Sequence, residues 1–454
     1  MKSRWTWIAA VALALGCADI NVPNLNNLPY DGLRTKPTRP LILNASTGLL
    51  IGARSYVAQA NGYVAMLGIL GRESYNFDRA DPRFISEMLE SPVLDPGSPA
   101  FGGNFWLQPY SNIRNANTLI VALDAIDTDP ITGVTNEERS AIIGFAETIQ
   151  ALDFLAIAMT RYNDTQCGPV DVNRAPDDAL APIVGKDEVL AHISDLLDDA
   201  RGKLNAAAGG ADVFPFQLGS GFAGFDKPSA FTKVNRALAA RVLVYRQRWT
   251  EAQTALGGSF IDVAKPMSLG AYHAFGNGSG DTPNNLTSPN EFAHPKLQAD
   301  AEPGDARIFG PTSKLVTLST TTTLRDISSN QLFTLYPSGD TPVPIIRNEE
   351  LILLRAEIAT QQDDLAAALV DVNFIRGLYG LAPKLSADLD TKDKMIDEIL
   401  KQRRYSLLFE GGHRWIDLRR YNKLDASLLD LPTHYVHQQY PIPSAELDAR
   451  QATP

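Results

Sequence analysis

Side chains able to do chemistry gather most densely near the end of this 454-residue chain. Between Gln402 and Tyr421 stand Arg403, Arg404, Arg414, Arg419 and Arg420, with the acids Glu410 and Asp417 among them. Such a block fits two chemistries. Acids poised in a cleft move protons, whereas acids matched by guanidinium groups make buried ion pairs. Spacing favours the second. From Met395 to Leu407 apolar side chains recur at helical spacing, with Ile396, Ile399, Leu400 and Leu407 on one stripe. Arg403 lies on that stripe, one turn after Ile399. A guanidinium on a core-facing stripe is costly unless a carboxylate or carbonyls meet it. The block therefore reads as a structural ion-pair cluster of Arg403, Arg404, Glu410, Arg414 and Asp417, locking two helices across the Gly411-Gly412 break. On this reading, loss of Arg403 leaves Glu410 short of a partner.

Other reactive patterns are few. There is no G-x-S-x-G, no phosphate-binding loop and no H-E-x-x-H. The six histidines are scattered. His434 and His437, three apart, are weak metal-ligand spacing and read as a surface pair. No catalytic residue, metal site or cofactor is assigned, and the expectation is a protein that is not an enzyme.

The N-terminus reads as an export leader. Lys2 and Arg4 precede an apolar run from Trp5 to Leu15, too short for a membrane span of about 20 residues. Ala14-Leu15-Gly16-Cys17 looks like a lipobox, with Cys17 as the lipidation site. Several acyl chains on one residue anchor firmly where a single chain does not. Cys167 is then left without an intramolecular partner and reads as a buried small residue. The formal charge is −11, and −13 once Lys2 and Arg4 leave with the leader. That argues against a nucleic-acid partner. No second hydrophobic span of membrane length is apparent. The roughly 435 residues after the leader exceed a usual single core, so one large or two intimate domains are expected.

Periodicity predicts helices over 45–60, 108–126, 136–162, 186–204, 229–249, 348–360, 364–378, 393–409 and 412–422. The third carries two stripes. One is Ile142, Phe145, Ile149, Leu152, Ala156 and Met159; the other is mostly small, with Ala141, Gly144, Thr148 and Ala151. Two buried faces, one small, suit a helix wedged between close neighbours. The fold class is mostly α: a tetratricopeptide-like helical-hairpin scaffold with long irregular insertions and minor β. The insertions are 71–105, 165–185, 209–228 and 257–344. Within the last, Lys314 to Arg325 reads as a β-hairpin or an extended crossing strand.

Two stretches resemble a known family. Arg404, Leu408, Glu410, Gly411, Arg414, Asp417, Leu418 and Arg420, followed by Pro441-Ile442-Pro443 and Glu446, look like the C-terminal signature of the SusD/RagB family. Arg347, Glu350, Leu354, Ala356 and Glu357, then Asn373 and Arg376, resemble the helix pair that precedes it. The resemblance covers roughly residues 347–447. It implies a surface lipoprotein of the outer membrane that captures a glycan or peptide and acts as a lid over a SusC-like TonB-dependent β-barrel transporter. It divides the chain into a leader (1–17), an N-terminal region with ligand-binding insertions (18–340) and a C-terminal region (341–454).

Sugar sites need flat aromatic faces and planar polar groups. The 71–110 stretch offers both, and Tyr75, Asn76, Arg79, Asn104 and Trp106 are the ligand-binding candidates. Trp106 and Tyr110 also fit a helix-packing motif of the same family, and Tyr110 is assigned to the core. A second insertion, 272–309, carries Tyr272, His273, Phe275, Asn284, Phe292 and His294. It reads as the other wall of a site, a transporter contact or a solvated surface loop. The alternatives in other classes are a glycan-active enzyme using paired carboxylates and a tetratricopeptide-like adaptor for proteins.

Overall fold

The computed structural model describes residues 30–98, 101–172, 180–278 and 281–452. The leader and Cys17 lie outside them. The first half contains helices α1 (Tyr30–Thr35), α2 (Arg39–Arg54), α3 (Tyr63–Leu70), α4 (Arg83–Ser86), α5 (Asn104–Ala125), α6 (Asn136–Thr160), α7 (Lys186–Ala208), α8 (Pro228–Tyr245) and α9 (Trp249–Gly257), with strand β1 (Ser74–Asn76). The second half runs β2 (Gly270–His273), β3 (Glu291–Ala293), α10 (Lys296–Ala299), β4 (Leu315–Leu324), β5 (Ile327–Phe333), β6 (Val343–Arg347), α11 (Asn348–Gln361), α12 (Leu365–Leu378), α13 (Lys392–Ser406), α14 (His413–Arg420) and α15 (Ser444–Ala452).

Local chemistry sets the helix starts. Thr135 accepts a hydrogen bond from the Glu138 N–H, and the Glu138 carboxylate accepts from the Thr135 N–H, a capping box that opens α6. The same carboxylate takes the Arg39 guanidinium at 2.6 and 2.7 Å, which docks α2 on α6. α2 begins six residues before the position that periodicity predicts. Pro40 in its first turn has no N–H to waste there, and Ile42 extends the buried stripe of Ala45, Leu49 and Ala53. The predicted helix 229–249 is two elements, because Gln247 at φ +58° breaks the chain between α8 and α9.

Successive helices pack against one another: α5 on α6, α6 on α7, α7 on α8, α8 on α9 and α11 on α12. The small stripe of α6 is what lets α7 approach. A methyl group added at Gly144 would stand 2.7 Å from Leu204 Cγ and 2.8 Å from the Ala200 carbonyl. α6 is long and apolar enough to cross a membrane, contrary to the expectation that no such segment follows the leader. It is the scaffold's central helix, with 83% of its most apolar window buried.

The 257–344 insertion is more ordered than its composition implies. β1, β3, β5 and β4 form an antiparallel sheet in that order, and β2 pairs with β6. β4 and β5 are a hairpin closed by Arg325 and Asp326, both at positive φ, as a two-residue type I′ turn requires. Of the readings offered for 272–309, the solvated loop is overturned: Phe275, Phe292, His273 and His294 are all buried.

After α14 the chain becomes a strap that crosses back over the N-terminal half. Tyr435 N–H donates to Leu89 O at 2.7 Å and Tyr440 N–H to Thr160 O at 2.8 Å. Arg161, buried beneath it, donates to the carbonyls of Gly102 (2.6 Å), Phe105 (3.0 Å) and Pro441 (3.3 Å).

Candidate ligand site

The C-terminal arginines and acids are distributed among buried partners. Arg403 donates to Asp417 Oδ2 at 2.6 Å, joining α13 to α14, and Arg420 donates to Asp417 Oδ1 at 3.0 Å. Glu410 is not Arg403's partner. Arg347, one residue ahead of α11, grips both Glu410 oxygens at 2.8 Å. The expectation that losing Arg403 strands Glu410 is therefore overturned: the residue that closes this pair lies 63 positions upstream. Arg404 pairs with Asp300 at 2.8 Å, and Arg414 donates to the Gly71 carbonyl at 2.8 Å. Gly412, at φ +69°, turns the chain from α13 into α14 against Leu67.

The insertion residues assigned to a ligand are mostly interior. Tyr75 is 3% exposed, and its hydroxyl lies 2.8 Å from His294 Nε2. Asn76 is buried and donates to Glu291 at 3.0 Å. Trp106 is buried against Tyr110 and under the Arg161 guanidinium. None of the three is open to a ligand: every residue of β1, which holds Tyr75 and Asn76, is covered, and Trp106 is buried on α5. Tyr110, half-buried, donates to the Pro169 carbonyl at 3.0 Å. Arg79 is exposed and donates to Thr323 O at the hairpin tip. Asn104 begins α5, and its side chain lies outside the described residues.

His434 and His437 are not a surface pair. Both are buried side chains of the strap itself, and His434 Nδ1 lies 3.8 Å from Asp430. Asp430 accepts from His294 at 2.9 Å and meets Arg72 at 3.1 Å. The Lys296 N–H donates to His294 Nδ1, which leaves that ring's proton on Nε2, facing Asp430. Burial works against the Asp430 charge, yet His294 and His434 beside it hold the carboxyl well below the usual range. Among the described residues no three His, Cys, Asp or Glu side chains come together in a way that would hold a metal ion. Cys167 is a free, buried thiol.

Two features were not legible in advance. Tyr435, 42% exposed, is the one aromatic side chain among the described residues that stands out from the surface. It is fixed beside the 71–105 insertion by its backbone, which donates to Leu89 O and accepts from Arg72 at 3.0 Å. The other feature is a chamber between α3, α6, α8, β6 and the start of α14, with a volume of about 70 Å3. Tyr63, Tyr245, His273 and His413 line it with Arg241 and Glu410, against an apolar wall that includes Leu155 and Met159. Arg241 is held by Glu350 at 2.6 and 2.7 Å, and Glu410 by Arg347. Burial keeps both histidines neutral, pushing His273 down to about 3 and His413 to about 4. It also lifts the Tyr245 phenol to about 12. Of these residues, His273 belongs to the second insertion singled out above. Tyr63, Tyr245 and His413 sit on helix faces where a core reading is the natural one.

Residues 327–450 match the family model described as SusD family. No curated protein sequence matches the chain. Solved structures match nearly all of it. A surface glycan-binding protein A from Bacteroides thetaiotaomicron, in complex with laminarihexaose, aligns at TM-score 0.66 and 15% identity over 92% of this chain and 98% of that one. A SusD superfamily protein from Bacteroides fragilis aligns at TM-score 0.64 and 16% identity, covering 91% and 98%. A laminarin-binding SusD-like protein aligns at TM-score 0.60 and 17% identity, covering 90% and 97%. The chain thus matches the SusD family model over its C-terminal quarter and shares the fold of solved SusD-like proteins along about nine-tenths of its length.

Proposed function

We propose that this protein is a carbohydrate-binding lipoprotein of the cell surface. It would be anchored through Cys17 to the outer membrane and would hold an oligosaccharide for a TonB-dependent β-barrel transporter, over which it acts as a mobile lid. The chemistry is binding and gating, with no covalent step. The family and fold support this reading, since solved members with the same fold include a laminarin-binding protein and a laminarihexaose complex. The observation on this chain that carries it is Tyr435. It is an aromatic ring held open to solvent beside the first insertion, the flat apolar face that a sugar ring stacks on.

Calorimetry of the chain lacking residues 1–17, against a panel of neutral oligosaccharides and of peptides, tests the reading. Saturable binding of an oligosaccharide, weakened at least tenfold by Tyr435→Ala, is expected. Binding of peptides alone, or sugar affinity unmoved by that change, refutes it. The anchor is tested separately: Cys17→Ser should move the protein from the membrane to the soluble fraction, and retention in the membrane overturns it.

A further inference from the structure

The chamber holds polar groups of two kinds. Its charged groups are committed to the fold. Arg241 spends Nε and a terminal nitrogen on Glu350, and Glu410 gives both oxygens to Arg347. Its uncharged groups are not committed. Among the described residues the hydroxyls of Tyr63 and Tyr245 and the ring of His273 have no hydrogen-bond partner. His413 Nδ1 is buried without one, on a side chain more than nine-tenths covered. Buried polar atoms are nearly always paired, so the His413 nitrogen calls for a reason, and three further uncommitted polar groups share its cavity.

Their chemistry indicates what they fit. A phenol and a neutral imidazole each donate and accept one hydrogen bond or more, and an alcohol does the same. A carboxylate or phosphate would find no free cation here, and an ammonium no free anion. The wall at Leu155 and Met159 offers apolar contact to C–H groups. A water occupies roughly 10–15 Å3 of such space, so the chamber of about 70 Å3 admits a group of about five or six heavy atoms and no whole oligosaccharide.

We propose that this chamber is a second binding site, which takes the end of a neutral polyhydroxylated molecule through Tyr63, Tyr245, His273 and His413. It is separate from the surface around Tyr435 and does not depend on that assignment. Each hydroxyl of the ligand bridges a phenol and an imidazole, and the small volume selects a terminal fragment such as a glycerol unit or the hydroxymethyl edge of a sugar.

The test uses the chain from residue 18 with histidine ring nitrogens isotopically labelled. Glycerol is the probe and potassium glycerate the charged control. Glycerol should shift the His273 and His413 ring signals saturably, and glycerate at equal concentration should not. The pair Tyr63→Phe and Tyr245→Phe keeps both rings and removes both hydroxyls; it should weaken glycerol at least tenfold with little change in melting temperature. Absence of a saturable shift, an equal response to glycerate, or unchanged affinity in the double variant overturns the proposal. If the double variant does not fold, glycerol-soaked crystals of the unaltered chain decide: ordered water alone in the chamber overturns it. Oligosaccharide binding without movement of the ring signals removes this site and leaves the surface reading standing; the reverse result does the opposite.

Discussion

Replacing Arg403 with methionine probes the join between α13 and α14. Arg403 is 1% exposed and Asp417 3% exposed, with Nε to Oδ2 at 2.6 Å and a longer second contact at 3.3 Å. Removing one partner of a buried pair costs about 3–5 kcal/mol, because a charge stays behind without its match. Asp417 keeps Arg420 at 3.0 Å, so the lower end, about 3 kcal/mol, is expected. Arg347 still holds Glu410, so nothing further is lost at that acid. The informative comparison is the double variant Arg403→Met with Asp417→Leu. Apolar replacement of a whole buried pair is often neutral, and Arg420 retains Glu357. The double variant should therefore recover most of the loss, with a coupling energy of about 1.5 kcal/mol or more. Urea unfolding followed by circular dichroism and by the fluorescence of buried Trp415 measures each term. A single-variant loss below about 1 kcal/mol, or two losses that simply add, would falsify the account of the pair.

Further expectations concern pH, turn geometry and the strap. Burial lifts the Asp153 carboxyl to about 8, so the folded chain keeps a proton that the unfolded chain releases near pH 4. Stability from this group is complete below about pH 4 and is lost as pH rises through 8, and Asp153→Asn should flatten that fall in melting temperature between pH 5 and 9; an unchanged slope rejects it. Glu350 is the opposite case. Burial would raise it, but Arg241 holds it down to about 2, so its contribution is present above about pH 4.5 and disappears toward pH 2. Glu350→Gln should accordingly remove part of the acid limb of the stability profile. Gly412→Ala forces a side chain into φ +69° and to 2.4 Å from Leu67, and a loss of about 2 kcal/mol or more is expected in the same urea assay. Arg161→Met leaves the carbonyls of Gly102, Phe105 and Pro441 short of a donor, and protease cleavage within 425–445 should speed up; an unaltered cleavage rate counts against the strap's dependence on Arg161.

The scaffold was readable in the sequence wherever one period dominates. α6, with its apolar stripe and its small stripe, lies almost where its pattern put it, and Arg403 on a core stripe did announce a buried partner. The partner's identity was out of reach. Asp417 lies 14 positions from Arg403, farther than Glu410, and Arg347 competes from another element, so only the backbone path decides. The ligand surface was misread for a related reason. Tyr75 and Asn76 carry no helical period because they form a three-residue strand, and short strands leave too little pattern to show which face is covered. Tyr435 was passed over because a lone tyrosine among irregular residues gives no sign of exposure. The chamber's tyrosines and histidine sit on helix faces that look like ordinary core.

The strap ties positions that are 363 residues apart at Arg72 and Tyr435, and 280 apart at Arg161 and Pro441. Contacts that distant close late, since the loop between them must be ordered first. A chain emerging N-terminus first can therefore stack its early helices but cannot cover Tyr75, Phe105 or Trp106 until its last thirty or so residues arrive. A copy without the strap would leave Phe105 and Trp106 uncovered, so the early helices can stack before these rings are sealed from water.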